Sequence, residues 1–384
     1  MKILVLSPDY PDDRRSAFSF VKQLVDEMAT QGHDIQVIAP YSLTRNRRLY
    51  KKIEKSRVGA GSVTLFRPRY LSYSHLHVGS LSLTSWSISQ AFQKGLRMLD
   101  EEPDVVYGHF WTSAYQGYHY AKEHNKPLFV ATGESEIDFV CNTEEKKSFC
   151  DFVSGVICVS TKNLEESLTK NLAAKEKCVV IPNAIDANLF KLLDKSDCRK
   201  RLGLPQDVFI VAFVGWFNDR KGSERVSKAI SKINGPVAVN SIFVGEGQLN
   251  PDCENVLFKG RLAHSQIPEY LNAADIFVLP TLQEGCCNAV IEAMACGLPI
   301  VSSNLPFNWD VLDESNSIMV NPNNIDEIAG AIEKLRDDKI LRVRLSQGAL
   351  KRAEGLAIDQ RAVKIIDFIK DRLDEKEKIV NTSE

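Results

Sequence analysis

Short apolar runs ending in glycine, proline or serine alternate along this chain with segments whose apolar residues recur at helical spacing. "KILVLS" is followed by Phe18, Val21, Leu24, Val25 and Met28 on one helical face, with Gly32 as the stop, and then by "DIQVIAP". The same rhythm runs through "SVTLF", a helix over 84–99, "DVVYGH", a helix over 112–124, "PLFVAT", "GVICVS", a helix over 161–170 and "CVVIP". Strands this apolar are buried on both faces, and strand–helix–strand alternation demands parallel pairing with helices on either side of the sheet. After a charged connector, "KLLDKSDCRKRLGLPQD", the rhythm restarts. "VFIVAFVG", a helix over 222–233, "NSIFVG", "NVLFKG", a helix over 266–273, "DIFVLP", a helix over 288–296, "LPIVSS" and "SIMV" predict a second sheet. Helices over 325–336, 338–354 and 358–378 close the chain. The expected class is α/β, with two Rossmann-like, doubly wound parallel-sheet domains facing a cleft. Ligands of such sheets bind at the carboxyl edges of the strands.

The totals agree. A chain of 384 residues is too long for one ordinary core. A formal net charge of −2 makes nucleic acid an unexpected partner. Nine cysteines, an odd number without C-x-x-C or regular spacing, argue against a zinc site or a disulfide framework and suit a reducing cytoplasm. The amino-terminal apolar run is short and meets acidic residues at once, so no secretory leader is expected, and no stretch has transmembrane length. The expected location is cytoplasmic, with peripheral contact at the inner face of the cell membrane left open.

The stretch "TLQEGCCNAVIEAMACGLPIVSS" carries the chemistry. It leaves the strand "DIFVLP", turns through Glu284, Gly285, Cys286 and Cys287, and enters a helix for which Asn288 is a good N-cap and Gly297 with Pro299 the stop. Free amides near 286–290 carry roughly half a positive charge and form a natural diphosphate site. Glu292 lies about 6 Å further along the axis at ~1.5 Å per residue, and Glu284 lies on the other side of the helix start. A ligand with a charged middle and a hydroxylated group at each end would meet one carboxylate at each end. A nucleotide diphosphate sugar has that layout. Taken without this context, the two glutamates read equally well as ordinary solvated charges.

The stretch resembles the E-x7-E signature of retaining glycosyltransferases of family 4, which have the GT-B fold. "GHDIQVIAP", "PDVVYGHFW", "VIPNAIDANLF", "FVGWFNDRKG", "FVGEGQL", "FKGRLAHSQIPEYLNAADIFVLPTLQEG" and "MACGLPIVSS" agree with it. The resemblance implies transfer of a sugar, with retention, from a UDP- or GDP-type donor to a glycan or lipid-linked glycan, without a metal or other cofactor. It implies an acceptor-binding domain over 1–188, joined by a returning helix at 358–384, and a donor-binding domain over 189–357. Glu284 would bind the donor sugar and Glu292 the ribose. Gly285, Cys286, Cys287 and Asn288 would hold sugar and phosphates through their backbone, and Lys221 would neutralise the diphosphate. Gly245 and Gly247 would let the backbone approach the base or ribose, the backbone at Arg261 would hold the base, and Gly215 would belong to the donor side. His109, at a strand's carboxyl edge, would face the acceptor, or else serve structure alone.

Several positions depart from the family pattern. Trp216 stands where the family has an arginine, and Arg220 is the expected substitute. The first loop has Ser16, Ala17 and Phe18 in place of paired glycines. Thr132 and Gly133, followed by Glu134, replace a His-Gly pair. These departures leave open a catalytically weak or inactive nucleotide-sugar-binding regulator. A nicotinamide oxidoreductase is disfavoured because the first turn lacks G-x-G-x-x-G. Finally, "RNRRLYKKIEKSR", residues 45–57, packs seven basic residues with one acidic. With the nearby "YLSYSHLHVGSLSLTSW" it could meet an anionic membrane, or it could be a solvated loop or helix face.

Overall fold

The computed structural model describes residues 1–12, 18–44, 50–73, 76–78, 81–235 and 237–382. The chain divides into two compact units, one comprising 1–159, 163–181 and 361–384, the other 160–162 and 182–360.

The first unit opens with β1 (Lys2–Leu6), α1 (Ser19–Thr30), β2 (Asp34–Ile38) and the two-residue β3 (Tyr41–Ser42). The hairpin β4 (Ile53–Val58) and β5 (Gly61–Phe66) follows, then the short β6 (Arg69–Tyr70), β7 (His77–Val78) and β8 (Leu81–Ser82). Next come α2 (Leu83–Leu96), β9 (Val105–His109), α3 (Trp111–Gln116), α4 (Tyr118–Glu123) and β10 (Leu128–Thr132). α5 (Glu144–Phe152), β11 (Gly155–Cys158), α6 (Thr161–Thr169) and β12 (Cys178–Val180) complete this run. Eight of these strands form one sheet in the order β12-β11-β10-β9-β1-β2-β5-β4. All its pairs are parallel except β4 with β5.

The apolar runs behave as expected. Ile3 to Leu6 and Val105 to Tyr107 are buried, and α1 turns Val21, Leu24, Val25 and Met28 inward. Each such side chain contributes about 1.5–3 kcal/mol on burial. The helix read over 112–124 is two helices broken at Gly117, where a Cβ would lie 2.5 Å from Leu6 Cδ1. The helix packs that closely on β1 only because the side chain is missing.

The second unit holds α7 (Lys195–Leu202), β13 (Phe209–Val214), α8 (Ser223–Lys232), β14 (Val239–Val244), β15 (Val256–Gly260) and α9 (Ile267–Ala273). β16 (Ile276–Leu279), α10 (Asn288–Ala295), β17 (Ile300–Ser303), β18 (Ser317–Val320), α11 (Ile325–Asp337) and α12 (Lys339–Glu354) follow. Its six strands are all parallel in the order β15-β14-β13-β16-β17-β18. The last helix, α13 (Ile358–Thr382), packs in the first unit, with Phe368 against Phe129 and Arg372 Nε donating to Ser154 O at 3.0 Å.

The reading places no helix between "PLFVAT" and "GVICVS", where α5 lies, and two further segments differ. The charged connector contains α7, whose Asp194 caps Asp197 N and whose Gly203 closes the helix at φ 65°. The charge is partly internal: Arg199 is buried and donates to Ala273 O, Gln206 O and Asp275 Oδ2. The basic segment is neither loop nor helix over its second half, because β4 forms an exposed edge strand there. Residues 45–49 of that segment lie outside the described residues, as do Ser16 and Ala17 of the first loop.

Candidate active site

The second sheet has the doubly wound order in which the first and fourth strands, β13 and β16, lie side by side and their following loops diverge. Such a switch point opens a crevice at the carboxyl edge. The loop after β13 carries Gly215, Trp216, Arg220 and Lys221, and the loop after β16 carries Glu284. The two loops are stitched together. Leu282 N donates to Arg220 O at 2.8 Å, and Thr281 Oγ1 donates to the same carbonyl at 3.1 Å. Asn218 Oδ1 accepts from Lys221 N at 2.9 Å, bending the first loop so that the lysine side chain is only 12% exposed.

At the centre, one oxygen of Glu284 gathers two cations and shares the single Thr281 hydroxyl proton with Arg220 O. Glu284 Oε1 lies 2.7 Å from Lys221 Nζ, 2.7 Å from Arg220 Nη1 and 3.2 Å from Thr281 Oγ1. Arg220 Nη1 also donates to Gln283 O at 2.9 Å. Burial works against the Lys221 ammonium, but the Glu284 carboxylate outweighs it and raises its pKa, with Cys287 Sγ 3.7 Å away. Burial also pushes the Cys287 thiol up, so Cys287 is neutral near pH 7 and the balancing charge comes from Glu284. Arg220, the expected substitute for the missing arginine, is thus committed to the carboxylate, while Trp216 is 58% exposed beside the cluster.

α10 begins at Asn288, with Cys287 at the N-cap position, so the cap expected at Asn288 is corrected by one residue. Asn288 makes no capping bond. Its Oδ1 accepts from Asn183 Nδ2 at 2.9 Å, and the same amide donates to Cys286 O at 3.1 Å. Asn183 therefore fixes the loop from behind. Gly285, Cys286 and Cys287 are buried. Two glycines beside β14 permit close backbone approach: a Cβ on Gly245 would lie 1.9 Å from Gly215 O, and one on Gly247 2.3 Å from Phe217 O.

Glu292 lies inside α10, 9% exposed, with Oε1 2.9 Å from His264 Nε2. No reading of the sequence singled out His264; only the packing of α9 against α10 brings it there. Arg261 is exposed and pairs with Glu246 at 3.2 Å. Arg220, Lys221, Glu284 and the loop through Cys287 thus share one cluster, whereas Glu292 is paired separately.

His109 lies in the first unit, at the end of β9, and is 3% exposed. It is packed by Phe20, Tyr107 and Phe110, and neither ring nitrogen finds a hydrogen-bond partner among the described residues. Burial, helped by the positive charge of Arg361, lowers its pKa to about 3. The expectation that its ring faces an acceptor is corrected: the ring is enclosed and stays neutral. The polar group at this carboxyl edge is Glu134. It accepts from Thr132 Oγ1 at 2.7 Å, Gly133 N at 2.8 Å and Trp111 N at 3.3 Å, and burial raises its pKa.

Residues 194–352 match the family described as "Glycosyl transferases group 1", and residues 17–189 match "Glycosyltransferase Family 4". The chain is 28% identical over 366 residues to a provisionally named teichuronic acid biosynthesis glycosyltransferase, TuaC, of Bacillus subtilis, covering 88% of this chain and 90% of that one. It is 30% identical over 228 residues to the UDP-Gal:alpha-D-GlcNAc-diphosphoundecaprenol alpha-1,3-galactosyltransferase of Escherichia coli, covering 56% of this chain and 59% of that one. The fold is similar to sucrose-phosphate synthase from Thermosynechococcus elongatus, with TM-score 0.79, 20% identity and coverage of 97% and 99%. It is also similar to Anabaena Alr3699/HepE in complex with UDP-glucose, with TM-score 0.68, 18% identity and coverage of 97% and 100%. These likenesses agree with the parallel sheets and the E-x7-E stretch: the chain is an enzyme of glycosyltransferase family 4 with the GT-B fold.

Proposed function

We propose that the chain moves a sugar from a nucleotide diphosphate sugar, UDP or GDP type, to a glycan or lipid-linked glycan, with retention of configuration. The observation that carries this reading is the meeting of Lys221, Arg220 and Glu284 at the switch point, beside the start of α10. The diphosphate sits at the first amides of α10 and against Lys221, where helix and ammonium both favour negative charge. Glu292 receives the ribose hydroxyls, the backbone at Gly245 and Gly247 approaches the ribose or base, and the backbone at Arg261 holds the base. The bond from sugar C1 to the β-phosphate oxygen breaks as the bond from C1 to the acceptor oxygen forms on the same face. The acceptor's proton passes to the leaving phosphate, so no protein base is required and the burial of His109 does not obstruct the step. Lys221 and the helix start stabilise the departing charge. The neighbour crystallised with UDP-glucose and the galactosyl relative named for a UDP-Gal donor favour the uridine type.

Donor binding is read by thermal shift with UDP, GDP and ADP. A nucleotide at 100 times its Kd stabilises by ~2.7 kcal/mol. Glu292→Ala is expected to weaken binding of the preferred nucleotide by about tenfold. Unchanged affinity in that variant would remove Glu292 from the ribose site.

An anionic membrane surface fits the same reading. Lys51, Lys52, Lys55 and Arg57 are exposed, although Lys55 pairs with Asp100 at 2.5 Å. Leu71, Leu76 and Trp86 are exposed around the start of α2, joined by Leu71 N to Ser87 Oγ at 3.0 Å and Leu83 N to Leu76 O at 3.3 Å. Basic groups near such a surface contribute about 1 kcal/mol each. The relative named for a diphosphoundecaprenol-linked substrate supports a lipid-borne acceptor. Among the described residues no helix is long and apolar enough to cross a membrane. The chain is expected to float with anionic vesicles at low salt and to leave them at high salt. Equal recovery with neutral vesicles, or none with anionic ones, would end this part of the reading.

A further inference from the structure

We propose that His264 is a positioning residue for Glu292, holding its carboxylate for the donor ribose and offsetting its charge against the donor diphosphate, a role that rests on Glu292 receiving the ribose. His264 opens a single helical turn, His264–Gln266, ahead of α9, and its ring lies 5.1 Å from the buried Phe190 ring. Nε2 lies 2.9 Å from Glu292 Oε1. One carboxylate oxygen is thereby engaged, and the second is the one a ribose hydroxyl approaches.

A carboxylate near the ribose binds hydroxyls well but repels the diphosphate next to it. A protonated imidazole cancels most of that repulsion, whereas a neutral one with hydrogen on Nε2 still orients the carboxylate. The hydrogen bond to Glu292 raises the His264 pKa; burial opposes this, and the charges of Glu292 and Asp186 add to it. Just past the end of α10, Cys296 also meets the Glu292 charge, but burial and that charge push its thiol up to about 12, so it does not titrate with the histidine. The sign follows. Protonated His264 favours the anionic donor, so affinity is greatest at low pH and falls as pH rises through the His264 pKa.

The test measures UDP-glucose binding by calorimetry from pH 5.5 to 8.5, a range in which the diphosphate of that donor does not titrate. GDP-mannose is used instead if the wild type takes only that donor. Wild-type Kd is expected to rise about fivefold across the range. H264Q keeps an N–H donor without a titrating charge. Its Kd should be flat with pH and within about twofold of wild type at pH 8.5. H264A should bind about tenfold more weakly there, and should add little to the loss already caused by E292A. The histidine ring signal is also followed by NMR without ligand, and its midpoint should fall in E292Q. A pH-flat wild type, affinity rising with pH, or H264Q as weak as H264A would overturn the role. If E292A binds normally, or the wild type binds neither donor, the ribose assignment itself falls. A full E292A effect with silent His264 variants defeats His264 alone. Melting curves establish that each variant is folded.

Discussion

Lys221→Met is expected to lower donor turnover by about 10²–10³-fold while weakening nucleotide binding far less. Methionine keeps the length and apolar character of the lysine stem, so the loss is confined to the ammonium. The lysine side chain is 12% exposed, and its ammonium lies 2.7 Å from Glu284 and 3.7 Å from Cys287 Sγ at the start of α10. Its largest effect is expected when the phosphate oxygen gains charge as the C1–O bond breaks. Removing one partner of a buried ion pair usually costs about 3–5 kcal/mol. Here Arg220 still faces Glu284 at 2.7 Å, so a loss of about 1–2 kcal/mol is expected. Single-turnover hydrolysis of a radiolabelled donor reads the chemical step, and calorimetry with the free nucleotide reads binding. Turnover within about threefold of wild type would show that Lys221 does not face the leaving group.

Much of the fold was legible because parallel strands buried on both faces leave continuous apolar runs, as in "DIFVLP" and "VFIVAFVG". The elements that escaped break that rule. β4 is an exposed edge strand, so its residues carry no apolar signature. α7 buries an arginine rather than an apolar stripe, and its charge therefore read as a connector. The break at Gly117 depends on the distance to Leu6, which no local pattern encodes. At the site, Glu284 and Glu292 were legible from spacing around a helix start, and Lys221 only through the family resemblance. Their partners were not. His264 lies 28 positions from Glu292, and Arg220 lies 64 from Glu284, so only tertiary packing reveals that both glutamates are already paired. The enclosure of His109 is of the same kind. A histidine at a strand edge has the same sequence signature whether its ring is open to a ligand or covered by Phe20 and Phe110.

Glu284→Gln is expected to move nucleotide affinity and turnover in opposite directions. Without a ligand, one oxygen of Glu284 holds Lys221, Arg220 and Thr281 together. A nucleotide diphosphate must draw the cations toward its phosphates, and in doing so it competes with that carboxylate. A sugar attached to the diphosphate restores the balance, since its hydroxyls donate to the carboxylate as the cations turn away. The amide of glutamine removes the competition, so free UDP or GDP, whichever the wild type binds, should bind about three- to tenfold more tightly. Turnover should fall by about 10²-fold or more, because an amide cannot accept from the sugar as a carboxylate does. The ligand-free variant should lose about 2–4 kcal/mol of stability, since Lys221 and Arg220 are left as neighbouring like charges around a neutral group. A bound diphosphate should return about 0.7–1.4 kcal/mol of that loss, making the nucleotide-induced thermal shift larger than in the wild type. Equal weakening of free nucleotide and nucleotide-sugar would mean that Glu284 only supports the loop. A thermal shift no larger than in the wild type would mean that the phosphates do not meet Lys221 and Arg220.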